Sequence, residues 1–177
     1  MRFLRNLLIF IVLVIAAVVA VAYVLPRKVP VERSVVIEAP REQVFPYLNS
    51  LQRGAEWSPW LGLDPNVQLT YEGPEEGVGN TLAWTSEHPN VGSGRQEITL
   101  SEPNARVESS LDFGDMGTAT AWLALEPEGA GTKVTWGLLA DMGMNPVGRW
   151  MGLMMDRWVG ADYERGLANL KALVEGG

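Results

Sequence analysis

Two neighbouring stretches near the C-terminus determine the fold: GTKVTWGLL, residues 131–139, and NPVGRWMGLMMDRWVGADYERGLANLKALV, residues 145–174. In the first, apolar Val134, Trp136 and Leu138 alternate with polar residues, which is typical of a strand. In the second, apolar residues recur at three- and four-residue steps and follow an Asn-Pro cap, which predicts one long amphipathic helix. A sheet that ends in such a helix is expected to bury one face against it.

Upstream, the same alternation predicts a first strand around Val31–Ile37 and a short helix opened by Pro40, in which Pro46 is expected to cause a kink or a break. Turn signals then separate six candidate strands, at 67–72, 79–86, 93–101, 105–113, 117–126 and 132–139. The predicted fold is therefore α+β: a curved antiparallel sheet of about seven strands wrapped around the long C-terminal helix. A void between such a sheet and its helix is a natural site for an apolar ligand.

The N-terminus has the composition of a membrane segment. Residues 1–28 contain four basic residues and no acid, and Leu7–Leu25 is an unbroken run of 19 apolar residues. Such a run matches the bilayer core, so residues 1–28 are predicted to be an uncleaved anchor joined by a very short linker, Arg27–Pro30. A cleaved signal peptide, ending at Ala20-Val21-Ala22, is the alternative. The chain is expected to be a single-pass membrane protein with its folded domain on the extracytoplasmic side.

Residues 29–177 form one acidic domain, and composition excludes several functions for it. The chain has no cysteine and a single histidine, which argues against thiolate or multi-histidine metal sites. The net charge of −7 hides a more acidic domain, since the anchor carries only positive charge. Nucleic-acid binding is therefore not expected. Nothing indicates a metal or a cofactor, and no particular protein partner is indicated.

Several motifs resemble the START/polyketide-cyclase-like (SRPBCC) superfamily, which is known for the helix-grip fold. They are Val31–Ser34 with Ile37–Pro40, Glu56-Trp57-Ser58-Pro59-Trp60, Tyr71-Glu72-Gly73, Gly131–Trp136 and Gly160–Leu170. They span nearly all of residues 31–175, in the family's order. The resemblance implies this fold, often with one N-terminal membrane segment. It implies binding of lipids or other apolar molecules, or aromatic-cyclase activity, and carries over no catalytic set.

Tryptophan is unusually frequent, and eight residues are proposed as the lining of an apolar pocket: Trp57, Trp60, Trp84, Trp136, Trp150, Met151, Met154 and Trp158. Plain core packing is the competing interpretation for each of them. The segment Trp57–Trp60 is interpreted either as a ligand clamp or as a rigid turn that docks two indoles in the core. Gly143, Gly148 and Gly152 would loosen the start of the long helix and make it a mouth or lid.

No catalytic motif is found, and binding is favoured over catalysis. The leading hypothesis is a membrane-anchored domain that binds an apolar small molecule or lipid between sheet and helix. A polyketide cyclase/dehydratase-like enzyme is the alternative, with His88, Asp112 or Glu97 moving protons. It requires that at least one of these side chains points into the pocket. A non-catalytic interaction module with a filled core is the third hypothesis.

Overall fold

A computed structural model describes residues 2–114 and 117–176. In chain order its elements are α1 (Arg2–Ala22), β1 (Lys28–Ile37), α2 (Arg41–Leu48), α3 (Leu51–Gly54), a 3₁₀ turn (Leu61–Leu63), β2 (Gln68–Glu72), β3 (Thr81–Thr85), β4 (Ser93–Glu102), β5 (Arg106–Asp112), β6 (Thr118–Glu128), β7 (Gly131–Asp141) and α4 (Pro146–Glu175). The predicted helix-grip architecture is confirmed. Asp115 and Met116, which fall in the predicted turn between the candidate strands 105–113 and 117–126, lie outside the described residues.

The seven strands form one antiparallel sheet in the order β1-β7-β6-β5-β4-β3-β2. The strands β2 to β7 neighbour one another in sequence order, and β1 is the exception. It pairs with β7 along its whole length, from Lys28 opposite Asp141 to Ile37 opposite Thr132. Helix α4 lies chiefly against β1. Its approach is close, since a Cβ atom on Gly152 would lie 3.1 Å from Cγ2 of Val29. The helix therefore covers one edge of the sheet, whereas α2 contacts β6 and β7, and α3 contacts β3.

Strand alternation divides the sheet into two faces. The face toward α4, called the inner face, carries the odd-numbered residues of β1 and the even-numbered residues of β7 between Thr132 and Ala140. Its centre is dry: Val31, Ile37, Ile98 and Val134 are at most 1% exposed. Apart from Arg33, which bonds α4, the charged residues of the strands lie on the opposite, outer face. Burial of the apolar inner side chains is the main force that holds the helices on the sheet.

The N-terminal helix α1 is long and apolar enough to cross a membrane, a property that a signal sequence shares. It ends at Ala22, so the last three residues of the predicted span, Tyr23 to Leu25, form turns instead of helix. The predicted linker is also shorter than expected, because β1 already begins at Lys28. Pairing with β7 extends the strand to this point, which the sequence of β1 alone does not reveal.

The expected effect of Pro46 differs from what is observed. Helix α2 contains Pro46 and continues to Leu48, and the break before α3 falls at Asn49 and Ser50. The proline removes only its own N–H as a donor, and the helix closes one turn later, where the Asn49 N–H donates to the Phe45 carbonyl over 3.0 Å. A helix this short loses little from one missing bond.

Ion pairs connect α4 to β1, and we expect them to make the stability of the fold depend on pH. Arg33 bonds Asp156 at 2.9 Å and Glu164 at 2.8 Å, and Glu175 accepts the Glu38 N–H at 2.7 Å. The hydrogen bond from Arg33 lowers the pKa of Asp156 below its ordinary 3.8, and that from Glu38 N–H lowers the pKa of Glu175 below 4.5. A lowered folded-state pKa stabilises the fold above the ordinary value, and this stabilisation is lost as the pH falls below it.

The measurement is the denaturant midpoint at pH 7, 5 and 3. The midpoint should hold between pH 7 and 5 and fall toward pH 3, and Arg33→Met should weaken that fall by removing the partner of Asp156. Arg95→Met is the matched control, because Arg95 pairs with Glu72 on the far side of the sheet from α4. An acid response that is the same in both variants would contradict the assignment to the α4 attachment.

Candidate ligand-binding site

A row of side chains crosses the inner face at the end of the sheet that lies nearest α1. The strand register aligns Val29, Ala140, Ala119, Leu111 and Gln96 on five neighbouring strands, β1, β7, β6, β5 and β4. We call these five residues the inner strip. Ala140 is buried, but the other four are only partly buried, in contrast to the dry rows beside them. This end of the sheet is therefore incompletely covered.

Adaptable apolar side chains border the inner strip. A Cβ atom at Gly152 would meet both Val29 and Met142, which places this part of α4 over the strip. Met155 and Val159, one and two turns further along α4, are partly buried against the same core. Thioether side chains repack readily around ligands of different shape. An apolar molecule would find here a wall of aliphatic groups with few polar ones.

Gln96 is the polar member of the inner strip, and Ser109 lies one row deeper on the neighbouring strand. The amide of Gln96 offers two donors and one acceptor, so it has the chemistry to orient a carbonyl or hydroxyl group of a ligand. Sequence reasoning missed Gln96, because a β-bulge in β4 interrupts the alternation between Ile98 and Leu100. Counting back from Ser101 by twos assigns Glu97, and not Gln96, to the inner face.

The eight proposed lining residues do not come together in the structure. Trp57 and Trp136 belong to a buried aromatic cluster with Tyr163, whose ring stacks on Trp136 at 3.9 Å. Trp60 lies at the edge of this cluster, with its ring centroid 5.8 Å from that of Trp136. Trp84 lies on the inner face of β3, one row beyond Gln96, where its ring packs 6.0 Å from that of Phe113. The other four point outward from α4 and are at least 37% exposed: Trp150, Met151, Met154 and Trp158.

The segment Trp57–Trp60 is a rigid turn. The Ser58 hydroxyl accepts the backbone N–H groups of Trp60 and Leu61, at 3.4 and 3.3 Å. The Trp57 indole N–H donates to the Tyr47 carbonyl, and that of Trp60 donates to Asp162 over 2.8 Å. Both indoles are thus occupied by contacts within the protein. Burial raises the pKa of the neighbouring Tyr163 hydroxyl well above its ordinary value, as expected in a dry aromatic core.

None of the three proton-transfer candidates lies on the inner face. Register places Glu97 opposite Ser110 and Asp112 opposite Thr118, all of them on the outer face. There they line a polar concavity of about 530 Å³ together with Arg95 and residues of β1, β6 and β7. Mixed charge on an open sheet surface does not resemble a site for an apolar substrate.

His88 belongs to the loop between β3 and β4. The imidazole Nδ1 atom of His88 accepts the backbone N–H of Asn90 at 3.2 Å. The backbone N–H of His88 donates to the Ser86 hydroxyl at 2.9 Å. Ser86 also donates to Asp64, which lowers the pKa of that carboxyl. These are turn-stabilising contacts, so the histidine has a local structural role here.

A second concavity, of about 360 Å³, lies along the edge of β1 where α4 passes it, between Val35, Leu167 and Lys171. Both of these concavities lie outside the space between the inner strip and α4. That space is lined by partly buried residues of the strip and of α4.

Comparison with known proteins agrees with this architecture. A family model described as polyketide cyclase / dehydrase and lipid transport matches residues 28–175. Among solved structures, a Rhizobium leguminosarum protein has a TM-score of 0.59 at 17% identity, with 85% of this chain and 96% of that one covered. Ara h 8.0201 has a TM-score of 0.62 at 14% identity, with 85% and 99% covered.

The di-domain ARO/CYC StfQ from the steffimycin biosynthetic pathway also has a TM-score of 0.62, at 15% identity, with 84% of this chain and 51% of that chain covered. No curated protein matches. At these identities the structural likenesses establish the fold alone. The family model, in contrast, covers the whole sheet and all of α4, so the chain belongs to the polyketide cyclase / dehydrase and lipid transport family.

Proposed function

We propose that this protein is a membrane-anchored binding protein for an apolar small molecule or lipid, which lies between the inner strip and the first half of α4. The observation that carries the proposal is the half-buried apolar strip with one amide, Gln96, at the end of the sheet nearest α1. Family membership supports a binding or cyclase function. The apolar helix α1 supports anchoring, and the extracytoplasmic placement of the domain stays a prediction.

The site separates into two parts with different tasks. The aromatic cluster around Trp136 fills the deep half of the space and gives it a rigid floor. The strip end has methionines and glycines at its border, so it is the half that is able to open. In an interaction module with a filled core, Leu111 and Ala119 would be expected to be fully buried. Their partial exposure therefore favours ligand binding over such a module.

A cyclase-type enzyme is the second candidate, favoured by the family description and by the likeness to StfQ. Since His88, Asp112 and Glu97 do not face the inner strip, such an enzyme would rely on holding a flexible substrate in a reactive conformation. Gln96 would then polarise a substrate carbonyl, and loss of cyclisation in Gln96→Leu with retained substrate binding would distinguish catalysis from carriage.

The test of the binding proposal is photo-crosslinking with a fatty acid that carries a diazirine on its chain. The full chain in phosphatidylcholine nanodiscs is irradiated with this probe, and labelled peptides are mapped by mass spectrometry. Labels should fall on β5 and β6 around Leu111 and Ala119. In Ala119→Trp the new indole would fill the strip, and we expect labelling there to drop at least tenfold, about 1.4 kcal/mol of binding free energy.

Thr120→Trp is the matched control, because Thr120 is the next residue of β6 and is exposed on the outer face. It adds the same side chain and should leave the labelling unchanged. Circular dichroism melting shows whether both variants are folded. Equal labelling of the strip in the two variants, or labels confined to α1, would overturn the proposed site.

A further inference from the structure

The first half of α4 exposes an apolar surface that the fold does not use. Six residues of its outward face are 37–65% exposed: Val147, Trp150, Met151, Leu153, Met154 and Trp158. The outward face changes character after Gly160, where the exposed residues are Ala161, Glu164, Arg165, Ala168 and Asn169. One helix therefore carries two different outer surfaces, and only the first is unfavourable in water. Contiguous apolar surface of this kind marks an interaction site.

This apolar surface is continuous with α1. The Trp150 indole N–H donates to the Val18 carbonyl over 3.2 Å, across the contact between the two helices. Val18 lies four residues before the end of α1 at Ala22, which corresponds to about 6 Å along the helix axis. If α1 lies in the bilayer with its end at the headgroups, Trp150 is thus held within about one helical turn of the depth where hydrocarbon meets headgroups. Tryptophan is enriched at that depth.

The polar groups of this helix half are turned away from the apolar surface. The Arg149 guanidinium is buried and bonds the carbonyls of Leu25, at 2.6 Å, and Gly143, at 2.9 Å. The Asp156 carboxylate bonds Arg33 of the sheet. The bond to Leu25 also pins the start of α4 to the end of α1, so the two apolar surfaces keep one orientation. The exposed charge at the border, Arg157, has a sign that suits phosphate headgroups.

We infer that the first half of α4, Pro146–Trp158, lies on the same bilayer that α1 crosses, with its apolar face in the boundary between headgroups and acyl chains. Amphipathic helices occupy this depth in other membrane-bound proteins. The inner strip would then open at the membrane surface, and an apolar ligand would pass between bilayer and protein without crossing water. This inference rests on the proposed anchoring by α1.

The absence of cysteine allows spin labels to be placed one at a time on the full chain. The positions are Met154→Cys on the apolar half, Ala168→Cys on the same face of the polar half, and Val12→Cys within α1. Each labelled protein is reconstituted in phosphatidylcholine vesicles, and collision rates with oxygen, which dissolves in lipid, and with a water-soluble nickel chelate are measured. We expect at least a tenfold higher oxygen-to-nickel collision ratio at position 154 than at 168.

The Val12 label separates this inference from the proposed anchoring. A lipid signal at 12 with a water signal at 154 would overturn the inference and leave the anchor intact. A water signal at 12 would overturn both. Low collision rates with both reagents at 154, together with dipolar broadening between labels, would assign the surface to a second copy of the chain and also overturn the lipid contact.

Discussion

Replacement of Trp136 by alanine should cost about 3–5 kcal/mol of folding free energy, the largest loss that we expect from a single change in this chain. The side chain is 9% exposed and lies at the centre of the aromatic cluster, stacked on Tyr163 and edge-on to Trp57 and Trp60. Helix α4 passes so close that a Cβ atom on Gly166 would lie 2.7 Å from the Trp136 ring. The indoles of Trp57 and Trp60 are held by hydrogen bonds to Tyr47 and Asp162, so we expect these rings to leave the cavity unfilled.

Guanidinium titration of the full chain in detergent micelles, followed by near-ultraviolet circular dichroism, measures this loss. Trp158→Ala is the matched control, because Trp158 is 51% exposed on α4 and should change the unfolding free energy by about 0.5 kcal/mol or less. Trp136→Phe keeps a ring against Tyr163 and should retain a measurable transition even if the alanine variant does not fold. Similar losses for Trp136→Ala and Trp158→Ala would show that the cluster is not the centre of the core.

Replacement of Arg149 by methionine is expected to have the second-largest effect, a loss of about 1.5–3 kcal/mol, which is typical for buried hydrogen bonds made by a charged group. Its guanidinium holds the Leu25 and Gly143 carbonyls, so the change also releases the end of α1 from the start of α4. Hydrogen exchange of the Met142 N–H, which donates to the Arg27 carbonyl at 2.8 Å, should become faster.

Arg157→Met is the control for this change, because Arg157 is exposed on the same helix and loses the same charge. It should leave both the denaturant midpoint and the exchange of Met142 close to those of the unchanged protein. If the two variants behave alike, the junction between α1 and α4 does not depend on the buried guanidinium, and the orientation of the helix on the membrane loses its main support.

The fold was predictable because its signals are local. Alternation in residues 131–139 and helical spacing in 145–174 report which face of each element is apolar, and turn residues mark the strand ends. The order of the elements then leaves few ways to bury those faces. The pairing of β1 with β7, which includes part of the predicted linker, joins residues roughly a hundred positions apart and has no local signal.

The candidate site was predictable only in part. Trp136 and Trp150 each lie on a predicted apolar face, one of a strand and one of a helix, yet Trp136 lies in the core and Trp150 on the outside of α4. Helical periodicity defines an apolar stripe but does not say how much of it another element covers. The stripe of α4 is too wide for the one sheet edge that it meets, which leaves Trp150, Met154 and Trp158 partly exposed.

The sequence by itself determined the classes of segment: an apolar N-terminal helix, an acidic antiparallel sheet and a long amphipathic helix that closes it. Each class follows from residue types that repeat at short sequence intervals. Such local patterns do not depend on the tertiary arrangement. Only the tertiary structure decided which residues meet. The bulge in β4 turns Gln96 inward and Glu97 outward, and the contact of α1 with α4 places Trp150 against α1. Both depend on pairing between segments, which the periodicity of one segment does not encode.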